Sequence, residues 1–477
     1  MEYRTEQQAA ESEETNASSI EAGKYVYAKA KEDLKVKGSD ITAKGIDLTA
    51  KRVTIENETE KSSEESSKLS AQVLGVESES KSVKATKGRA SNVNAKDYII
   101  VKSEEEGKIK GSKVKADNVY VNSGKTKFEA AEETYEEKTT KTSVGFTASG
   151  SAGLPGVGVE GEADGAAQTA DGAIVNEYKN KKLAQGTSGG RKSSALAEGD
   201  IGVKLAYQQT EKEVKKFENS TVEGRNIYVS SEGETDIGGA DISSEEETDI
   251  SGKKILTTKQ KNTVRESSTG FEVSVKQSGG TVSSILDAAN VGKEIADDSK
   301  KGELNKGLAA AKAIGAATGL LFNDLAGAQS KQSINFSFNK SKSEVEEDTR
   351  NKVHSGGKIR IRSTEEDINL KNVDIKAKDK ITLDSERDIK VSGGKRTEKR
   401  EGHQLGATVH LQESAGFGAV SGGNTTVGIG GSANYETEKS SSTTNENSNI
   451  QANNLEVRSK KIQRLKEPTL EQKKQQL

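Results

Sequence analysis

Aliphatic residues in this chain stand singly between polar ones, and the pattern restarts five times, at Ser19-Ile20, Asn92-Val93, Thr221-Val222, Lys352-Val353 and Asn449-Ile450. Each restart runs polar residue, aliphatic, two polar or small residues, a turn, then a β-rich stretch. In four of them a second aliphatic follows at a near-constant step: Ile20 to Ile41 and Val93 to Val114 are 21 apart, Val222 to Ile242 and Val353 to Val373 are 20. A step of this size, filled with short alternating strands, predicts one coil of a right-handed parallel β-helix, whose inner face is buried only by neighbouring coils. The expected rung residues are therefore Ile20, Ile41, Val93, Val114, Val222, Ile242, Val353, Val373 and Ile450. Ile46 and Leu48, then Val53 and Ile55, lie two apart with polar residues between them, as a strand with one wet face requires.

Turn chemistry separates the predicted strands. Lys37-Gly38-Ser39-Asp40, Lys110-Gly111-Ser112-Lys113 and Ile237-Gly238-Gly239-Ala240-Asp241 place glycine where φ > 0 is needed and Ser or Asp where the local backbone needs a partner. Asp precedes Ile at Asp40, Asp236, Asp241, Asp249, Asp367, Asp374 and Asp388. A calcium ladder needs oxygen donors around each carboxylate, yet Lys and Ser stand there, so turn capping is the expected role.

Successive restarts are 73, 129, 131 and 97 residues apart, more than the few visible coils fill, so each module carries an excursion. The chain divides into a polar lead-in (1–18), modules 19–91, 92–219, 220–350 and 351–448, and the start of a fifth with a basic tail (449–477). Glu136–Ala148, Ser267–Val275 and Gly406–Leu411 share a charged approach and a Gly-rich alternating stretch, predicting β-hairpins that leave the shaft. Between 283 and 327 the period becomes helical: Ser284 and Asp287 open it, and Ile285, Ala288, Ala289, Ile295 and Ala296 keep the spacing. The longest uncharged run there, Ala313–Asn323, is shorter than the roughly 20 residues that span a bilayer, so a helical hairpin over the shaft is expected.

Composition narrows the picture. With 30% hydrophobic residues, 8 Phe, 10 Tyr and no Trp among 477 residues, the core must be thin and extended. The 72 Lys plus Arg against 75 Asp plus Glu leave no field to draw in nucleic acid. Absence of Cys rules out disulfides and thiolate metal sites. Met1-Glu2-Tyr3-Arg4 opens no signal peptide, so an exported protein would carry its signal elsewhere.

No catalytic, cofactor or metal site is expected. His354, His403 and His410 are scattered, and Gly156-Val157-Gly158-Val159-Glu160-Gly161 lacks the helix that a dinucleotide site needs. Gly124-Lys125-Thr126 has Val119 where a phosphate loop has glycine. Asp367 and Asp388 lie one coil apart and could imitate a glycosidase pair, but no aromatic cleft accompanies them.

The order of the phrases Gly356-Gly357-Lys358-Ile359-Arg360-Ile361, Glu366-Asp367-Ile368-Asn369-Leu370, Lys371-Asn372-Val373-Asp374-Ile375 and Arg387-Asp388-Ile389-Lys390-Val391 resembles the haemagglutinin repeats of two-partner-secreted exoproteins. That family includes filamentous haemagglutinin and the contact-dependent growth-inhibition toxin carriers, and the likeness covers Ser19 to Arg458. The resemblance implies an all-β structural and adhesive shaft on a Gram-negative cell, exported through an outer-membrane transporter and touching host or neighbouring bacterial cells. It also admits a stalk that delivers a C-terminal toxin, although no residue here carries a secretion or toxin signal. A β-helical polysaccharide-degrading enzyme is the further alternative.

Overall fold

A computed structural model describes residues 3–72, 74–152, 197–278, 329–416, 424–460, 463–465 and 469–472, and every regular element among them is a β-strand. The strands divide into two systems. Short or bent strands stack in parallel into coils, and long straight strands form one antiparallel sheet.

The antiparallel system opens with β1 (Tyr3–Glu13), which lies in the polar lead-in. The first coil comprises β2 (Ser19–Glu21), β3 (Tyr25–Lys29) and β4 (Asp33–Lys37), and the second is the bent strand β5 (Asp40–Glu56). A hairpin of β6 (Glu58–Gln72) and β7 (Gly75–Arg89) follows. Coils three and four are β8 (Asn92–Lys110) and β9 (Lys113–Glu129), then comes the hairpin β10 (Ala131–Ala152) and β11 (Ala197–Glu218). Coil five holds β12 (Ser220–Ser231) and β13 (Glu234–Asp236), coil six β14 (Ala240–Gly252) and β15 (Lys254–Leu256), before the hairpin β16 (Lys261–Ser278) and β17 (Gln329–Asp348). Coil seven is β18 (Asn351–Ser355), β19 (Lys358–Ser363) and β20 (Ile368–Lys371), and coil eight is β21 (Val373–Ala377), β22 (Lys380–Ser385) and β23 (Ile389–Ser392). After the hairpin β24 (Gly394–Gly416) and β25 (Asn424–Glu446), coil nine carries β26 (Asn449–Ala452), β27 (Asn454–Ser459) and β28 (Gln463–Leu465), and β29 (Thr469–Gln472) begins a tenth.

The rule is two coils, then one hairpin. Parallel pairing stacks one inward residue per coil in a column: Ile20, Ile41, Val93, Val114, Val222, Ile242, Val353, Ile375 and Ile450 occupy equivalent places. From Ile41 onward every member is buried; Ile20 is 51% exposed because no described coil stacks on its outer side. Each buried Val or Ile contributes about 1.5–3 kcal/mol, but only while both neighbouring coils are present. One expected step is corrected. Val353 stacks on Ile375, 22 residues on, and Val373 pairs with Asn351. Val373 is still fully buried; it occupies the preceding inward place, which has the same parity.

Corners between paired coils use left-handed backbone at Gly38 (φ 53), Gly111 (φ 52), Gly239 (φ 96) and Asn372 (φ 50). Asn372 is tolerated because its Nδ2 donates to Asp348 O and Thr349 O at 2.8 and 3.1 Å.

The expected hairpins lie side by side as one nine-stranded sheet, ordered β1-β6-β7-β10-β11-β16-β17-β24-β25, which we call the fin. Strands and coils share a spacing of about 4.8 Å, so each module advances shaft and fin alike by about 9.6 Å. That match allows hairpins from different modules to pair without bending either layer. The expected helical excursion at 283–327 and the Gly156–Gly161 stretch lie outside the described residues.

Candidate contact surface

The junction between shaft and fin depends on a recurring buried hydroxyl. Chain returning from a hairpin meets Ser91, Ser220 or Ser448, each fully buried. Ser91 Oγ donates to Glu56 O (2.7 Å), Ser220 Oγ to Glu129 O (2.8 Å) and Ser448 Oγ to Ser392 O (2.7 Å). Each acceptor is the last shaft carbonyl before the hairpin departs, so the serine ties departure to return. At the third return, after β17, Asn351 takes the place, its Oδ1 accepting from Gly239 N at 2.6 Å. Sequence reasoning passed over these residues, although each stands two positions before a rung aliphatic. Ser220→Ala removes the donor from two buried carbonyls, Glu129 O and Ile109 O. It is expected to cost about 1–3 kcal/mol, read as a lower denaturation midpoint.

Close to the shaft, the fin is held by charge. Arg265 on β16 pairs with Glu213 on β11 (3.4 Å) and Glu344 on β17 (2.8 Å), and Lys399 on β24 also reaches Glu344 (3.2 Å). A single ion-pair chain therefore crosses four strands. Hydrogen bonds from Arg265 and Lys399 hold the Glu344 carboxyl below its usual range, and those from Lys81 and Tyr135 do the same for Glu137. A depressed carboxylate stabilises the folded form above the ordinary Glu pKa of 4.5, and the contribution is lost as pH falls through the lower folded value. Acidification below the ordinary Glu pKa of 4.5 should therefore lower the melting temperature read by circular dichroism, in the fin through Glu344 and Glu137 and in the shaft through its own depressed carboxylates Asp367 and Asp374.

Farther out, one fin face becomes apolar. Pairing places Val144, Leu205, Val273, Phe336 and Ala407 in one transverse row, with Tyr207, Phe271, Phe338 and Leu405 in the next inward row. Leu205, Tyr207, Phe271 and Val273 are buried, and the Tyr207 and Phe271 rings stack at 5.5 Å. Burial pushes the Tyr207 hydroxyl pKa up. Toward β25 the same face opens: Val409 is 42%, Val427 55%, Ile429 78% and Tyr435 68% exposed.

The shaft surface offers structural chemistry. The Asp carboxylates expected to cap turns mostly bind the next coil. Asp249 meets Arg360 at 3.2 Å, Asp241 meets Lys352 at 3.2 Å, and Asp40 accepts from Asn92 at 2.7 Å. Capping holds at Asp236, which accepts from Gly238 N and Thr258 N at 2.8 and 2.9 Å. Asp374 receives His354, Lys376 and Asn449; burial works to raise its pKa, but these hydrogen bonds outweigh it and lower it. Lys390 bridges Asp367 and Asp388 at 3.3 and 3.6 Å on an outer face, so that pair shares one ammonium. His403 stands beside Tyr435 on the fin, and His410 is on β24 away from both other histidines. Thr126 is buried among Ser123 and Ser231, and a Cβ at Gly124 would meet Glu104 O at 2.3 Å, so this stretch serves close coil stacking. Among the described residues no three acidic or histidine side chains gather into a metal-holding group.

These features define a class: a repetitive β-solenoid shaft with a laterally continuous hairpin sheet. A family profile described as hemagglutinin repeat matches residues 1–86, 74–188 and 332–464, more than half of the chain. The chain belongs to the hemagglutinin repeat family. It is similar to the filamentous hemagglutinin of Bordetella pertussis, 25% identical over 245 residues, which is 48% of this chain and 7% of that protein. It is also similar to the protein adenylyltransferase and cysteine protease IbpA of Histophilus somni, 27% identical over 179 residues, 37% of this chain and 4% of that protein. The chain thus spans less than a tenth of the length of either relative. No solved structure matches it.

Proposed function

We propose that this chain is a shaft segment of a large secreted adhesin on a Gram-negative surface, without catalysis of its own, in which the solenoid gives reach and the fin makes contact. The observation that carries the reading is the fin itself. Its β24 and β25 strands are 23 residues long and reach about 75 Å from the shaft, far beyond what burying the shaft core requires. An apolar face opening to solvent at its end is the kind of surface that meets partners. Export through an outer-membrane transporter and contact with host or bacterial cells come from the family resemblance. The balanced charge supports a partner other than nucleic acid.

Beads coated with the intact chain should bind cells saturably. A variant with residues 402–438 replaced by a short Gly-Ser turn should lose about tenfold in binding, one to two kcal/mol of contact, while retaining the shaft. Absence of saturable binding by the intact chain would leave a spacer. A second reading, the stalk of an effector-delivering protein, is favoured by the relative whose name records adenylyltransferase and cysteine protease activities. In that reading the intact chain binds no cells, and changing the number of modules alters delivery by the parent protein.

A further inference from the structure

Side chains on one face of a single sheet are walled in by their strand neighbours but open above. Val76 on β7 and Val409 on β24 stand on the fin's apolar face with a strand on either side, and they are 45% and 42% exposed. Between them the same face is closed: Leu205 and Val273 are 6% exposed, and Tyr207 and Phe271 are buried beside them. No described strand lies over this face. A further hairpin beside β25 would widen the sheet and leave the face as it is.

Burial is also lopsided. In the transverse row Ala148, Ile201, Gln277, Gln332 and Leu411, Ala148 on β10 is exposed, whereas Gln332 on β17 is 5% exposed. Ser330, on the same strand and face, is 6% exposed. Among the described residues Gln332 Oε1 and Ser330 Oγ have no hydrogen-bond partner, and buried oxygens of that kind are nearly always paired. The covering layer therefore brings donors with it, and it reaches the face from the β16–β17 end.

We propose that the 50 residues joining β16 to β17, 279–328, form a second layer on this apolar face, their polar groups meeting Gln332 and Ser330. The stretch follows Ser278 and precedes Gln329, at the outer border of the buried area. Its helical spacing at Ile285, Ala288, Ala289, Ile295 and Ala296 and its uncharged run Ala313–Asn323 supply two apolar surfaces. Two helices of about 15 residues, each about 22 Å long and packed about 10 Å apart, cover the area of four such strands. The shaft, over which this hairpin was expected to lie, encloses its aliphatic residues within the coils. The other long connection, 153–196, leaves the sheet beside exposed Ala148 and is the poorer occupant.

The chain contains no cysteine, so Val273→Cys and Val409→Cys each introduce one thiol on the same face. In the full chain a bulky maleimide should modify the Val273→Cys thiol about a hundredfold more slowly than the Val409→Cys thiol. Replacing 279–328 with a short Gly-Ser turn should abolish that difference while exchange protection of β5 and β22 is retained. Replacing 153–196 in the same way should leave the difference intact. Independently of any deletion, p-benzoylphenylalanine in place of Phe336 should photocrosslink to a peptide within 279–328 of its own chain. Two thiols that react equally in the full chain, or protection that survives loss of 279–328, overturn the inference. So do crosslinks to 153–196, to a second copy or only to neighbouring fin strands. None of these readouts involves cell binding, so they stand or fall apart from the adhesive reading.

Discussion

Val222→Asp should open the shaft at the fifth coil, with a loss on the order of 4–5 kcal/mol or outright failure of that region to fold. Val222 is fully buried between Val114 and Ile242. A carboxylate there has no cation and no spare donor, so it must either ionise in an apolar column or take up a proton. Damage should also be local. Hydrogen exchange should rise in β9, β12 and β14 and stay near normal in β22 and β27, because coils touch only their neighbours. Uniform loss of protection along the chain would contradict the stacked-coil account. Val222→Ala supplies a milder comparison, expected to cost about 1–3 kcal/mol with the same spatial pattern.

Removing a single coil should break the fin while sparing the shaft. β7 feeds into the third coil, and β10 departs from the fourth, one level higher, which is why the two pair side by side. Deleting residues 111–129 removes the fourth coil and puts both strands at one level, where they cannot lie 4.8 Å apart. The solenoid column remains intact, since Val93 can stack on Val222 as Val114 did. Exchange protection should therefore vanish at the β7 and β10 edges and persist in β5, β8 and β12. Deleting a whole module, residues 91–219, removes two coils together with two fin strands and should restore a continuous sheet with β7 beside β16. If the single-coil deletion keeps full fin protection, the shared advance of the two layers is not what aligns the hairpins.

The shaft was legible because burial there obeys a short rule. An aliphatic every coil, flanked by polar residues and followed by Gly38, Gly111 or Gly239, is visible in one dimension. The misplaced step at Val353 shows the limit of that rule. Val373 and Ile375 are both inward, and only backbone pairing chooses between them. The fin was hidden for a different reason. Its rows join residues such as Val144, Leu205 and Val273, separated by more than sixty positions, and both faces near the shaft are wet, so no amphipathic period announces the register. The polar run Tyr3–Glu13 had no signal of its own; its partner is β6, and that pairing gives it a fold. The junction serines could have been found from their fixed distance to the rung aliphatic. They were obscured by the many other serines in the chain.

Every module is completed by the one before it: its coils lie on the preceding coils, and its hairpin zips onto the preceding hairpin. Such a chain can be built from one end while its remainder is still unfolded, since each coil needs only its immediate neighbours. On the export reading proposed above, each finished module acts as a pawl. A segment threaded through a narrow passage, once added to the growing rod, cannot slide back without undoing its coils, its strand ladder and its buried serine together.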